Sequence, residues 1–214
     1  VVVAALFFRR DPAQMKRLPD NSTVSPVAGQ VVSDSYYSVK EAVSSRQFWL
    51  FAAVWAIFNG CVQAVLLHTA NHITDIGLST TLAASIISAI GGFSIAGRFG
   101  LASLSDRIGP RMAYLISLSL LTLAMVWMQF TQTAWTFYVF AALYGLGHGG
   151  CFALLAPMLS RLFGLGSLGS IMGITVLCGA LGGLTGPVAT GWIFDTTGSY
   201  NRAFFIMSIF CIIA

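Results

Sequence analysis

The chain alternates long apolar runs with short polar breaks. Five nearly complete runs lie near Gln47–Thr69, Ser79–Leu101, Met112–Phe130, Trp135–Leu159 and Leu168–Phe194, and a sixth begins near Arg202. Each full run reaches the roughly 20 residues that a helix needs to cross about 30 Å of hydrocarbon. Inside a bilayer every backbone polar group needs a partner, which leaves helices and closed barrels as spanning structures. Barrel strands alternate in polarity, and these runs do not. The pattern predicts an all-α, polytopic membrane protein. Val1–Phe8 reads as the tail of one further span, and Arg9–Ser45, with Pro12, Pro19 and Pro26, as a polar linker.

Composition agrees. Hydrophobic residues make up 57% and charged residues 8% of the chain, against roughly 25% charged in soluble domains. Lys and Arg number 11 and Asp and Glu 7. Arg9, Arg10, Lys16, Arg17, Lys40 and Arg46 all precede the first complete run, so the net charge of +4 is a local bias. It is not a nucleic-acid surface, which would interleave aromatic and basic residues. Cys61, Cys151, Cys178 and Cys211 sit in apolar runs without CxxC spacing; they read as small apolar filler, not as a disulfide framework or zinc site. The sequence has no metal-ligand cluster, phosphate-cradling loop or nucleophile–base pattern, so no metal, cofactor or enzymatic activity is expected. The chain opens at Val1 without Met and closes at Ala214 inside an apolar run, and is expected to be a fragment of a longer protein. Val1–Phe8 lacks the basic region and cleavage site of a signal peptide.

Charge also sets the topology. The linker, the island Ser105–Arg111 and Ser160–Ser167 fall on one side, carrying Arg9, Arg10, Lys16, Arg17, Lys40, Arg46, Arg107, Arg111 and Arg161. His68–Leu78, Thr131–Ala134 and Asp195–Asn201 fall on the other, with Arg202 alone. Lys and Arg are retained in cytoplasmic loops, which places the linker and island in the cytoplasm.

Within the spans a few polar residues stand out. Arg98 lies one or two turns inside the membrane from the island, where a charge is costly and marks function. Its planar guanidinium suits a bidentate carboxylate; the alternative is an arginine snorkelling to the interface. Trp55, Asn59 and Gln63 recur every four residues as one stripe, read either as cavity lining or as interhelical hydrogen bonding. His148, mid-span between Gly147 and Gly149, is open to a proton-coupling role or to that of a neutral, hydrogen-bonded imidazole. His68 and His72 flank Asn71 at the outer end of the first complete span, either shaping an outer mouth or sitting in a solvated loop. Asp195 reads as a structural residue of the outer junction. Gly145-x-x-x-Gly149 and Gly182-x-x-x-Gly186 allow close helix approach, and Gly179, Gly182, Gly183, Gly186 and Pro187 mark a helix that is either statically packed or a flexing point.

Leu104-Ser105-Asp106-Arg107-Ile108-Gly109-Pro110-Arg111 resembles the cytoplasmic loop motif of the major facilitator superfamily, with Ala102 and Pro110 departing from the pattern as in its degenerate second copy. Arg10-Asp11-Pro12 with Met15 and Pro19-Asp20 is similar to the linker after the sixth helix in monocarboxylate-porter and oxalate/formate-antiporter-like members. Gly191-Trp192-Ile193-Phe194-Asp195-Thr196-Thr197-Gly198-Ser199-Tyr200 resembles their junction before the last helix. The resemblance implies the six-helix C-terminal bundle of a twelve-helix fold: residues 1–8 end the sixth helix, 9–45 form the cytoplasmic central linker, and 46–214 form helices seven to part of twelve. It implies a secondary transporter of the plasma (bacterial inner) membrane, acting by alternating access with the N-terminal half of the same chain. The substrate would be a small carboxylate or other organic anion, with symport of protons or anion exchange both open. Arg98 would bind the anion, in a D-x-x-x-R pattern whose Asp is here Ser94, and Asp106, Arg107 and Arg111 would form a gating latch. The rival reading is a membrane signalling or assembly subunit that keeps the fold without transport.

Overall fold

Polar residues at the edges of the apolar runs decide where the helices start. In the computed structural model, which describes residues 37–213, Ser38 and Glu41 form a reciprocal capping box that opens a short helix α1, Val39–Ser44. Ser45 then caps α2, Arg46–Asp75, by accepting from the Phe48 backbone N–H, and Ser79 caps α3, Thr80–Ile108, in the same way through Leu82. Such side-chain acceptors satisfy amides that have no partner inside the first turn. The remaining helices are α4, Pro110–Met128, α5, Ala134–Phe163, α6, Leu168–Thr197, and α7, Tyr200–Ile213. The described residues carry no strand. Helices α2 to α6 are each long and apolar enough to cross a membrane; α7 is apolar but shorter.

Glycine makes the breaks that follow α3, α5 and α6. Gly109 (φ 85°), Gly164 (φ 77°) and Gly198 (φ 65°) close α3, α5 and α6 with a left-handed backbone that only glycine adopts cheaply. The charged island holds a tight turn between two spans. α3 runs through Asp106 and Arg107 to Ile108, the turn is Gly109 alone, and Pro110 starts α4 with Arg111 in its first turn. Proline suits that first position, where its missing N–H is not needed. The expected outer loop His68–Leu78 is likewise shorter, because α2 continues to Asp75. Residues 1–8, and the expected linker up to residue 36, lie outside the described residues. The described end of that linker, residues 37–45, contains the capped helix α1, which packs on α2 and α6.

The helices pair closely where their facing residues are small. α3 lies against α5, and α2 against α6. A Cβ added to Gly149 would run into the Ser94 backbone, and one at Gly97 into Leu146. At the other pair, Gly182 meets Ala56 and Gly186 meets Gly60, again backbone to backbone. Both four-residue glycine repeats thus form interhelical contacts, and dispersion between closely approaching backbones replaces the hydrophobic driving force that lipid removes. α5 is the most buried of the spans among the described residues, and α6 the least.

Candidate functional site

α5 carries Phe140, Tyr144, His148 and Phe152 at intervals of four, so all four rings project from one face. Tyr144 stacks on Phe140 (centroids 5.3 Å) and on His148 (5.9 Å, 8° between planes), and Phe152 meets His148 edge-on at 5.0 Å. α2 closes the row from the side. Trp55 packs on Phe58 at 5.0 Å and on Phe152 at 5.3 Å, and Phe58 lies 5.5 Å from Phe152. The Tyr144 hydroxyl donates to the Val62 carbonyl at 3.1 Å, so the polar tip of this buried ring is satisfied and locks α5 to α2. Phe152 keeps 38% of its surface exposed, while Trp55 keeps 2%. The wall is thus anchored at Trp55 and open at Phe152.

α3 brings the polar groups. Ser94 Oγ and His148 Nδ1 are 3.0 Å apart and hydrogen-bonded. The close α3–α5 approach at Gly145 and Gly149 makes this possible, since a side chain there would hold Ser94 away. Arg98 stands one helical turn beyond Ser94 on the same face and is exposed. The structure therefore brings Arg98, Ser94 and His148 together beside an aromatic wall. Ser94 takes no charge, so no carboxylate one turn away neutralises the guanidinium.

The stripe Trp55, Asn59, Gln63 faces α6. A Cβ on Gly179 would stand 2.5 Å from the Trp55 indole nitrogen and 2.9 Å from Asn59 Nδ2, and one on Gly183 would meet Gln63 Cγ at 3.2 Å. Asn59 Nδ2 donates to the Trp55 carbonyl of its own helix at 2.9 Å, and Gln63 is exposed. The stripe is one surface, but its amides do not bond across to another helix.

At the other end of α3, Asp106 and Arg161 line a cleft of about 510 Å³ between α3, the start of α4 and the end of α5. A Cβ on Gly109 would stand 3.0 Å from Arg161 Nη1, so this guanidinium lies against the turn. Arg107 and Arg111 are exposed on either side of it. No side chain caps α4, so Asp106 does not serve that N-terminus. Asp195 is exposed on α6. Beyond it Gly198 turns the chain, and Tyr200 stacks on Phe194 at 4.0 Å. His72 is not in a solvated loop: it is 3% exposed in α2, ringed by Phe137, Tyr200 and Phe204. Among the described residues, no group of three or more His, Cys, Asp or Glu could hold a metal ion.

A family model described as Major Facilitator Superfamily matches residues 1–111 and again residues 74–214. The chain belongs to the Major Facilitator Superfamily. It is an integral, all-α membrane protein of that superfamily, with five membrane-length helices among the described residues. Similar curated members include Monocarboxylate transporter 12 of Mus musculus, 27% identical over 151 residues, and Monocarboxylate transporter 11 of Mus musculus, 28% identical over 174 residues. These alignments cover 69% and 77% of this chain but 31% and 39% of those proteins. The MFS transporter asaE of Aspergillus flavus is 29% identical over 130 residues, covering 59% of this chain and 29% of that protein. The chain thus spans about a third of the length of the superfamily members it matches. The site residues that sequence reasoning missed in this member are Tyr144, Phe152 and Phe58. The four-residue spacing of α5 rings was visible, but aromatic residues in an apolar span carry no signal until a second helix is seen to face them.

Proposed function

We propose that this chain is the C-terminal helical half of a secondary transporter that carries a small organic anion, in the first place a carboxylate, by alternating access. The observation that carries the reading is Arg98: a guanidinium on a membrane-spanning helix, with Ser94 in place of an acid and an aromatic wall beside it. Such a cation needs an anion in a low-dielectric setting, and a carboxylate fits its fork. Trp55, Asn59 and Gln63 shape the cavity, with Gln63 contributing its exposed amide. Residues 1–8 end the preceding helix, 9–45 form the cytoplasmic linker, and 46–214 form the bundle. Asp106, Arg107 and Arg111 form the cytoplasmic latch, Asp195 is structural at the outer junction, and the protein works in the plasma membrane with its N-terminal half.

The same geometry supports a reading in which His148 couples transport to protons. His148 lies one hydrogen bond and one helical turn from Arg98, so an anion bound at Arg98 is placed beside an imidazole that can exchange a proton with it. Anion exchange is the alternative outcome of the test.

The experiment is uptake of radiolabelled short mono- and dicarboxylates by the full-length protein in proteoliposomes, with and without an acid-outside gradient. Arg98→Gln lowers carboxylate uptake per substrate concentration by about 30-fold or more, the effect of losing one partner of a desolvated charge pair (~2 kcal/mol). Unchanged affinity in that variant refutes the anchor. Absence of any carboxylate flux in the unmodified protein supports a signalling or assembly subunit.

A further inference from the structure

Helix length carries one end of the bundle to headgroup depth. At 1.5 Å per residue, α3 (29 residues) and α5 (30 residues) are each about 44 Å long. That matches the about 40–45 Å of a bilayer with its headgroup layers, not the roughly 30 Å of its hydrocarbon. The last turns of both helices therefore lie among lipid headgroups. Aromatic residues mark the same level. Trp49, at the start of α2, is 54% exposed, with its indole N–H fixed on the Val43 carbonyl at 2.8 Å. Tyr37 is tied to the end of α5, its backbone N–H donating to the Phe163 carbonyl at 3.3 Å and its ring meeting the Phe163 ring edge-on. Trp and Tyr concentrate at this depth because their rings are apolar and their tips polar.

The cleft of about 510 Å³ between α3, α4 and α5 opens at that level, and its lining has two characters. Phe99 and Leu154 stand about two turns short of the helix ends, toward the hydrocarbon, while Asp106 and Arg161 stand near the ends. The Phe99 ring is 74% exposed. Two of the lining serines have spent their hydrogens on their own helices: Ser103 donates to the Phe99 carbonyl at 2.8 Å and Ser160 to the Pro157 carbonyl at 3.0 Å. The strongest donor left for a ligand is the Arg161 guanidinium, which lies against the Gly109 turn. The charged residues at these ends of α3, α4 and α5 are Arg107, Arg111 and Arg161 against Asp106 alone, and all four are exposed. Three guanidinia against one carboxylate favour an anion, and the planar fork of arginine matches a phosphate.

We propose that this cleft binds an anionic phospholipid of the adjoining leaflet, with Arg161 on its phosphate and an acyl chain along Phe99 and Leu154. Arg107 and Arg111 add attraction from the rim, and Asp106 accepts from hydroxyls of the headgroup. A soluble phosphate could use the same guanidinium but would leave the apolar half of the lining in water; a lipid covers both halves. On the orientation argued from charge, this is the cytoplasmic leaflet, where anionic lipid is enriched. The site uses neither Arg98 nor His148, and it stands whether or not the protein carries a carboxylate.

The test is native mass spectrometry and thermal unfolding of the full-length protein, stripped of lipid in detergent and titrated with phosphatidylglycerol. Phosphatidylglycerol binds and raises the unfolding midpoint, about tenfold or more tightly than phosphatidylcholine of the same chain length. Arg161→Gln weakens that binding by about tenfold, the loss of a charge-assisted hydrogen bond. Arg161→Lys, which keeps the charge without the fork, loses less. Asp106→Asn binds at least as tightly as the unmodified protein, and Arg202→Gln, at the other end of the bundle, binds equally. Each midpoint is referred to the same variant without lipid, so intrinsic stability does not enter. Equal binding by Arg161→Gln and the unmodified protein overturns the proposal and leaves the cleft to another part of the chain. Loss of binding in Asp106→Asn overturns it too, because the carboxylate would then hold the headgroup. Equal stabilisation by water-soluble glycerol 3-phosphate overturns the lipid and assigns the cleft to a soluble anion.

Discussion

Ser94 Oγ sits 3.0 Å from His148 Nδ1, joining α3 to α5 by a side-chain bond one turn from Arg98. The bond joins two neutral groups beside a permanent cation, so it orients the imidazole without cancelling the charge. Ser94→Asp changes that balance. An acid at this position lies one turn from Arg98, at ion-pair spacing, and would compete with the carboxylate proposed as substrate. On that proposal, carboxylate affinity at pH 7 falls by about tenfold and recovers as acid protonates the new carboxyl. Uptake measured from pH 5 to 8 checks this; a variant with unchanged affinity at pH 7 shows that Arg98 and Ser94 do not share one site.

The same bond depends on glycine. Gly149→Ala drives a methyl into the Ser94 backbone, and Gly182→Ala does so at Ala56. Because the obstacle is backbone, no rotamer relieves it, and each substitution costs about 1–3 kcal/mol, the range for overpacking. Gly169→Ala, which meets nothing within 4 Å, is neutral or stabilising by about 0.5–1 kcal/mol. Thermal unfolding in detergent ranks the three. Equal midpoints for Gly149→Ala and Gly169→Ala would contradict the close α3–α5 approach.

Tyr144 tests the lock between α5 and α2. Its hydroxyl donates to the Val62 carbonyl and the residue is fully buried. Tyr144→Phe keeps the ring stack with Phe140 and His148 and removes only that bond, a loss of about 1 kcal/mol. The unfolding midpoint reports it. A drop as large as that of Tyr144→Ala assigns the energy to something other than the hydroxyl.

How much of this was legible in the sequence depends on which force set each feature. The spans were legible because hydropathy sets them. Their ends were not: His72 and Asp75 continue α2, and Asp106 and Arg107 continue α3, although both pairs lie past the apolar runs. Helical hydrogen bonding does not stop at the hydrocarbon edge; it stops where a backbone must turn, as at Gly109. Arg98 was legible because a charge in a span needs a reason. Its partner arrangement was not, because the Ser94–His148 bond depends on which glycines let α3 and α5 meet. The contact of His68 Nε2 with the Pro187 carbonyl, at 3.1 Å, had no signature at all, since a backbone acceptor is written in no side chain.

Gly109 carries the tight turn within the charged island. Its backbone, φ 85° and ψ 153°, lies in a region essentially restricted to glycine, and Arg161 Nη1 leaves little room for a Cβ. Gly109→Ala costs about 1–3 kcal/mol. Pro110→Ala, at a position any helix former accepts, costs less. Cysteine cross-linking between positions 106 and 161, which share one cleft, checks the geometry: the cross-link forms readily in an otherwise native background and slows in Gly109→Ala. An unchanged rate means that the turn does not hold Asp106 and Arg161 together.

The capping box before α2 gives a pH dependence whose sign is fixed. Glu41 accepts from the Ser38 backbone N–H at 2.8 Å and from the Ser38 hydroxyl at 2.7 Å. The backbone bond first, and the side-chain bond second, lower its carboxyl below the ordinary glutamate value. A depressed acid contributes its stability above the unfolded-state pKa and loses it as pH falls through the folded one. Helix α1 is therefore capped at neutral pH and loosens only under acid conditions, below the usual glutamate range near pH 4.3. Glu41→Gln removes the titration but keeps an acceptor, so its α1 amides exchange at one corrected rate across pH 3 to 7. In the unmodified protein the corrected exchange of residues 38–44 rises toward the acid end. If instead it falls with acid, Glu41 is not the group that holds α1 in place.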